Sequence, residues 1–338
     1  MSERLEELSQ WLREVVTSNS FHLEEASQDA SFRRYFRVSF DGQSLILMDA
    51  PPAKEDSSPF VKVARLLQQA GVQVPQVLES NLAKGMLLLT DLGTRHYSNE
   101  LNATNVDQLY ADAMSALLKI QTRVSAQAVP CYDDALLRAE MDLFVDWFLQ
   151  RHLQLLLTQA QRRSLLSCFD LLSRSAQSQP QVFVHRDYHS RNLMVRASDN
   201  PGVLDFQGAL CGPVTYDLVS LLRDVYIRWP EARVRKWALD YQQHALRAGL
   251  LHRDDWEQWL KWFDWMGVQR HLKIAGIFSR LYHRDGKVGY LHDVPLTLQY
   301  LCSVSSRYRE LAPLSQLMRE LHVEERLETR NASILRHQ

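Results

Sequence analysis

Three oxygen-bearing residues could act together in this chain: Asp187, Asn192 and Asp205. The first two lie in the run His185-Arg186-Asp187-Tyr188-His189-Ser190-Arg191-Asn192, directly after the apolar stretch Val182-Phe183-Val184. Asp205 closes a second apolar stretch, Gly202-Val203-Leu204, and Phe206 and Gln207 follow it. Phosphoryl transfer needs such parts: one carboxylate to orient an attacking hydroxyl and take its proton, and hard oxygen ligands to hold Mg²⁺ on phosphates. A tight loop can aim Asp187 at an acceptor while Asn192 turns back toward the metal and Asp205 arrives from a neighbouring strand. Taken singly, a His-x-Asp or an Asp-Phe at a strand end reads as a turn or a cap. Their order and their flanking apolar strands favour the chemical reading.

The first run matches H-R-D-x-x-x-x-N and so resembles the catalytic loop of the protein-kinase-like fold, with Asp205-Phe206 in the place of its metal-binding pair. That resemblance implies Asp187 as the base and Asn192 and Asp205 as Mg²⁺ ligands. His189, two residues after Asp187, resembles the aminoglycoside and choline phosphotransferase branch; protein kinases of the Ser/Thr class usually carry Lys there. No Ala-Pro-Glu segment follows Asp205. Gly212-Pro213-Val214-Thr215-Tyr216-Asp217-Leu218 stands there instead and resembles the same branch, which implies that Asp217 braces the loop through backbone hydrogen bonds. His185 is expected to brace the loop as well.

The elements around these residues suit such a fold. Leu5, Leu8, Leu12 and Val15 are spaced for an amphipathic helix over Glu3 to Val16. Ser31 to Phe40 and Gln43 to Met48 read as strands joined at Asp41-Gly42, a strong hairpin signal. Pro59 to Ala70 reads as a helix closed by Gly71, and Val74 to Leu78 and Met86 to Leu89 as two further strands. From about Asn105 the texture is mostly helical, apart from the strand-and-loop island of Val182 to Phe206. The expected class is α+β, a bilobal protein-kinase-like fold. Residues 1–92 would form a small antiparallel-sheet lobe with a leading helix, and 93–338 a larger helical lobe with the catalytic loop and acceptor site.

Several segments narrow the resemblance to the anomeric sugar kinases of bacterial cell-wall recycling, which act on N-acetylmuramate and N-acetylglucosamine. They include Asp29-Ala30-Ser31-Phe32-Arg33-Arg34-Tyr35-Phe36-Arg37, Leu204-Asp205-Phe206-Gln207, Arg270-His271-Leu272-Lys273 and Arg284-Asp285-Gly286-Lys287. The likeness runs from about residue 20 to 300 and implies ATP- and Mg²⁺-dependent formation of a sugar 1-phosphate. One departure is Gly208, where that group often carries an acidic residue; it bears on the acceptor more than on catalysis.

On the nucleotide side there is neither a Gly-x-Gly-x-x-Gly loop nor a Lys in the strand Leu45 to Asp49, and the helix from Pro59 has no acidic residue. The loop Ala26 to Ser31 has small residues whose backbone amides could approach phosphates. Strand alternation places Arg33, Tyr35 and Arg37 on one face and Arg34 on the other, and Arg33 is the favoured cation. Thr90-Asp91-Leu92-Gly93 resembles the hinge, where Thr90 and Leu92 would read adenine by backbone groups. On the acceptor side, resemblance puts Glu140, Asp142, Arg191, Arg270 and Lys273 around the sugar. Arg270 and Lys273 are spaced to share a helix face. Trp256, Trp259, Trp262 and Trp265 suggest carbohydrate stacking, but their spacing suits a helix core better.

Composition sets the outer bounds. The chain has 338 residues, 46% hydrophobic and 23% charged, which fits a folded globular protein rather than a disordered one. A net charge of -1 argues against a nucleic-acid-coating or polybasic membrane protein. The apolar runs fall far short of the roughly 20 residues of a membrane span. The acidic start from Ser2 to Glu7 lacks the pattern of a secretory signal. The scattered Cys131, Cys168, Cys211 and Cys302 read as reduced thiols, so a cytoplasmic setting is expected. The rival readings are a kinase of choline, homoserine or an aminoglycoside, and a nucleotide-binding pseudokinase prompted by the missing Lys and Glu.

Overall fold

The computed structural model describes residues 3–16, 18, 20–28 and 33–336. The chain folds into two compact units, 1–120 with 191–208, and 121–190 with 209–338. No helix among the described residues is long and apolar enough to cross a membrane.

The first unit is built on a five-stranded antiparallel sheet of order β1-β2-β3-β5-β4. Its strands are β1 (His22–Gln28), β2 (Arg34–Phe40), β3 (Gln43–Asp49), β4 (Val77–Asn81) and β5 (Met86–Thr90). The β2–β3 hairpin turns at Asp41 and Gly42, both left-handed (φ 47° and 74°), as a two-residue hairpin of matching twist requires. Helix α1 (Glu3–Val15) lays Leu8, Trp11 and Leu12 on Phe36, Val38, Leu47 and Leu88. Asp49 anchors it, accepting from Arg4 Nε at 3.0 Å on α1 and from Arg34 Nη2 at 2.5 Å on β2. Alternation therefore turns Arg34, Phe36 and Val38 to α1, and leaves Tyr35, Arg37 and Ile46 on the opposite face, where they line a cavity.

Helix α2 (Ser58–Gln69) ends in a Schellman arrangement. Gly71 (φ 76°) donates to Gln68 O and Val72 N to Leu67 O. After α3 (Tyr97–Glu100), α4 (Val106–Arg123) leads into the second unit. Residues 191–208 rejoin the first unit as a short hairpin, Leu193–Met194 with Gly202–Val203, tied by bridges from Met194 to His96 and from Gly202 to Gln73.

Two sequence expectations need correcting here. Ala26, Ser27 and Gln28, read as part of a loop, complete strand β1. The fourth strand begins at Val77 rather than Val74, since Pro75 cannot donate to a ladder.

The second unit is mainly helical. Its helices are α5 (Asp134–Leu143), α6 (Gln159–Gln177), α7 (Tyr216–Leu222), α8 (Glu231–Arg247), α9 (Trp256–Asp285), α10 (Val294–Ser305), α11 (Ala312–Glu320) and α12 (Val323–Leu335). A π-helical stretch, Phe144–His152, continues α5. Helix α9 is the spine. It is buried on every side from Phe263 to Gly276, and a Cβ at Gly276 would overlap the Leu143 carbonyl. Phe144, Phe148, Phe169, Leu272 and Leu298 fill the core around it. The tryptophan stripe belongs to this packing: Trp259 and Trp265 are buried, Trp262 is half-buried and only Trp256 is exposed. A two-stranded ribbon, β6 (Gln181–Val184) with β7 (Leu210–Pro213), carries the chain into the His185 run.

Candidate active site

In the second unit the apolar β6 delivers His185 to Ser190 into a loop pinned from below. Asp217, in the first turn of α7, accepts from His185 N at 2.6 Å and from Arg186 N at 2.9 Å. Asp187 N donates to His185 Nδ1 at 3.2 Å, and Ser190 N donates to the buried Asp224 at 2.9 Å. Arg186 takes a left-handed conformation (φ 79°), a strained state for a long side chain that these hydrogen bonds hold in place. Burial pushes the Asp217 carboxyl up, and its backbone donors only partly offset that.

Asp187 behaves differently. Burial pushes its carboxyl up, but the charges of Lys273, His189, Arg270 and Arg186 pull harder, so it lies below the ordinary carboxylate range. The cations belong to a buried network. Glu140 accepts from the Tyr132 hydroxyl and the Arg186 guanidinium, and Lys273 Nζ lies 3.1 Å from it. Lys273 also donates to the Tyr216 hydroxyl at 3.0 Å, and Arg270 Nη2 donates to Ser220 Oγ at 2.7 Å. Burial raises Glu140, yet Lys273 and Arg186 bring it below its ordinary value.

Four of the expected acceptor residues lie in the second unit. Glu140, Arg270 and Lys273 share this network. Asp142 lies half-buried on another face of the α5 segment, pushed up by burial and by Asp146. Arg191 belongs to the first unit and lines its cavity. Tyr216, part of the segment that resembles the small-molecule branch, joins the network, and so does Tyr132, which nothing in the sequence singles out because an aromatic hydroxyl at a large separation leaves no local signal.

In the first unit a cavity of about 510 Å³ lies between Ile46 and Leu89 of the sheet, Phe60, the 90–94 connector, and Asn192, Leu204 and Asp205. Asp205 is left-handed (φ 60°), and its Oδ1 accepts from Gln207 Nε2 at 2.7 Å. Asn192 Nδ2 reaches its Oδ2 at 3.5 Å. Arg33 lies 3.7 Å from Asp205 and 3.1 Å from Glu55. Glu55 precedes α2, so a search for an acidic partner within that helix passes it by. Ser31 lies outside the described residues.

At the connector, Thr90 N donates to Gln76 O at 3.0 Å, so that donor is already engaged. Asp91, which the sequence offers only as part of the Thr90-to-Gly93 connector, organises this edge. It accepts from Arg37 Nε at 2.7 Å, Ser44 Oγ at 2.5 Å and Gly93 N at 2.8 Å. Burial raises its carboxyl, but these partners bring it below the ordinary range. Leu92 leans on the short hairpin, and a Cβ at Gly202 would come within 2.9 Å of Leu92 Cδ1.

A five-stranded antiparallel sheet, a helical unit and a braced His-Arg-Asp loop define a protein-kinase-like phosphotransferase. Aminoglycoside 2'-phosphotransferase-IIIa, solved as its GDP complex, shares the fold at a TM-score of 0.63, with 12% identity over 89% of this chain and 99% of that one. Residues 22–262 match the phosphotransferase enzyme family, and the chain belongs to it. Two relatives are much nearer. A Pseudomonas putida (strain KT2440) protein named N-acetylmuramate/N-acetylglucosamine kinase is 48% identical over 94% of this chain and 96% of its own length. A Pseudomonas aeruginosa (strain PAO1) protein of the same name is 50% identical over 88% of this chain and 87% of its own.

Proposed function

We propose that this enzyme transfers the γ-phosphoryl group of ATP to the anomeric hydroxyl of N-acetylmuramate and N-acetylglucosamine, giving sugar 1-phosphates in cytoplasmic recycling of the cell wall. The observation that carries this reading is the near-full-length identity of 48–50% to two kinases so named. Asp187, ionised at neutral pH among Lys273, Arg270 and Arg186, accepts the proton of the attacking hydroxyl as the new P–O bond forms. The ADP oxygen leaves in line, with no covalent phospho-enzyme. Asp217 and His185 keep the loop from shifting, so catalysis rests on positioning rather than on reorganisation.

The donor set beside Asp205 suits Mg²⁺. The Asp205 carboxylate and the Asn192 amide offer hard oxygens, and the buried Gln207 Oε1 beside them has no hydrogen-bond partner among the described residues. Among the described residues no three His, Cys, Asp or Glu side chains form a closed metal site, consistent with an ion completed by phosphates and water. Bound there, Mg²⁺ would neutralise phosphate charge. Arg33, held by Glu55, supplies the cation that a strand Lys supplies in protein kinases, and Leu92 presents its backbone to the adenine.

The test is Mg²⁺-dependent ADP release with N-acetylmuramate, N-acetylglucosamine, glucose, choline and kanamycin side by side. Turnover confined to the two N-acetyl sugars is expected. Turnover with choline or kanamycin alone would discard the acceptor. ATP binding without any turnover would favour a nucleotide-sensing module.

A further inference from the structure

Cys131 and Cys211 stand far apart in the sequence, but the structure lays them side by side as partners in a parallel bridge. Tyr132 N donates to Cys211 O at 2.8 Å, and Cys211 N donates to Pro130 O at 2.7 Å, so the alignment is held from both sides. Neighbouring strands run about 4.8 Å apart. Bridge partners also project to the same face, which puts these two within the roughly 4.4–6.8 Å backbone separation that a disulfide spans. Cys131 is exposed and Cys211 partly exposed, so a small oxidant reaches them. The remaining thiols lie elsewhere: Cys168 is buried in the helical core and Cys302 sits beside Glu324.

We propose that Cys131 and Cys211 are a reversible redox pair that closes into an intramolecular disulfide on exposure to hydrogen peroxide. The Cys131 sulfur attacks the peroxide O–O bond, becoming a sulfenic acid and releasing water. The Cys211 sulfur then attacks the sulfenic sulfur: the S–S bond forms, the S–O bond breaks, and the hydroxyl leaves with the thiol proton as a second water. Two electrons pass from the thiols to peroxide, and a dithiol reductant reverses the change. Burial and the neighbouring Cys131 hold the Cys211 thiol above its ordinary range, so closure quickens as pH rises. The bond would lie at the surface, where disulfides are labile. It would tie the segment before α5 to β7, the partner of the strand that leads into the His185 loop.

The experiment treats the full chain with hydrogen peroxide at pH 8, removes the excess, and titrates thiols after denaturation. Titratable thiols should fall from four to two. Intact mass should drop by about 2 Da, and a linked peptide should contain Cys131 and Cys211. Dithiothreitol should restore all four thiols. In Cys211→Ser, dimedone should trap a sulfenic acid on Cys131. The wild-type measurement stands even if that variant folds poorly. Retention of all four thiols, over-oxidation of Cys131 without a linked peptide, or a bond joining two molecules would each overturn the proposal.

Discussion

Replacing Lys273 with Met tests whether the buried network sets the state of Asp187. Methionine keeps most of the volume but deletes the ammonium, which lies 3.1 Å from Glu140 and 3.0 Å from the Tyr216 hydroxyl. The Lys273 and Glu140 side chains are only 5% and 7% exposed, so solvent replaces little of what is lost. Breaking a buried ion pair by removing one partner costs about 3–5 kcal/mol, and the lower end applies here because Arg186 and Tyr132 remain on Glu140. For a unit of about 200 residues, ~3 kcal/mol lowers Tm by roughly 6–12 °C. Lys273 is also the leading charge holding Asp187 down, so its loss raises that carboxyl and moves the acid limb of the kcat–pH profile to higher pH. Lys273→Arg keeps the charge and should restore much of the limb. Differential scanning fluorimetry and kcat between pH 4 and 8 read both effects. A Lys273→Met enzyme with Tm within about 1 °C of wild type and an unmoved acid limb would refute the reasoning. A KM rise for N-acetylmuramate alone, with the limb unmoved, would make Lys273 a sugar contact instead.

Three further outcomes follow from the same geometry. Asp187→Asn should lower kcat by about 10²–10⁴, or some 3–5 kcal/mol; ATP affinity by calorimetry should hold, because the 510 Å³ cavity is lined by first-unit residues. Arg33→Ala should raise the KM for ATP about tenfold, the worth of one charge-assisted contact, and an unchanged value would remove Arg33 from the nucleotide site. His152 is buried between His283 and Asn331, and burial pushes its imidazole down to about 4. Folding thus keeps it neutral while the unfolded chain takes up a proton below about pH 6.5, so its contribution is lost as pH falls. Between pH 7.5 and 5 the stability gap between wild type and His152→Gln should shift by about 2 kcal/mol in the variant's favour, and a constant gap would contradict the assignment.

Much of this is legible in the sequence where the signal is local. The Asp41-Gly42 hairpin, the α2 stop at Gly71 and the His185-to-Asn192 run each place a specific residue type where backbone geometry or chemistry demands it. Strand β1 escapes a sequence reading because His22-Leu23-Glu24-Glu25-Ala26-Ser27-Gln28 is a polar sheet edge with no apolar alternation to announce it. Other features depend on long-range pairing. The Glu55 partner of Arg33, the Asp91 clasp on Arg37, the return of 191–208 to the first unit and the Cys131–Cys211 bridge join residues that no window on the chain views together. The acceptor candidates show the same limit. Helical spacing puts Arg270 and Lys273 on one face, but only the fold turns Glu140 toward them and Asp142 away.

The central claim is the site of phosphorylation, and phosphorus NMR of the N-acetylglucosamine product reads it directly. The account predicts one sugar-phosphate signal coupled to the anomeric proton, formed only with ATP and Mg²⁺ and formed at least about a hundredfold more slowly by Asp187→Asn. A signal coupled to the C6 protons, or the same 1-phosphate formed at full rate by Asp187→Asn, would contradict it.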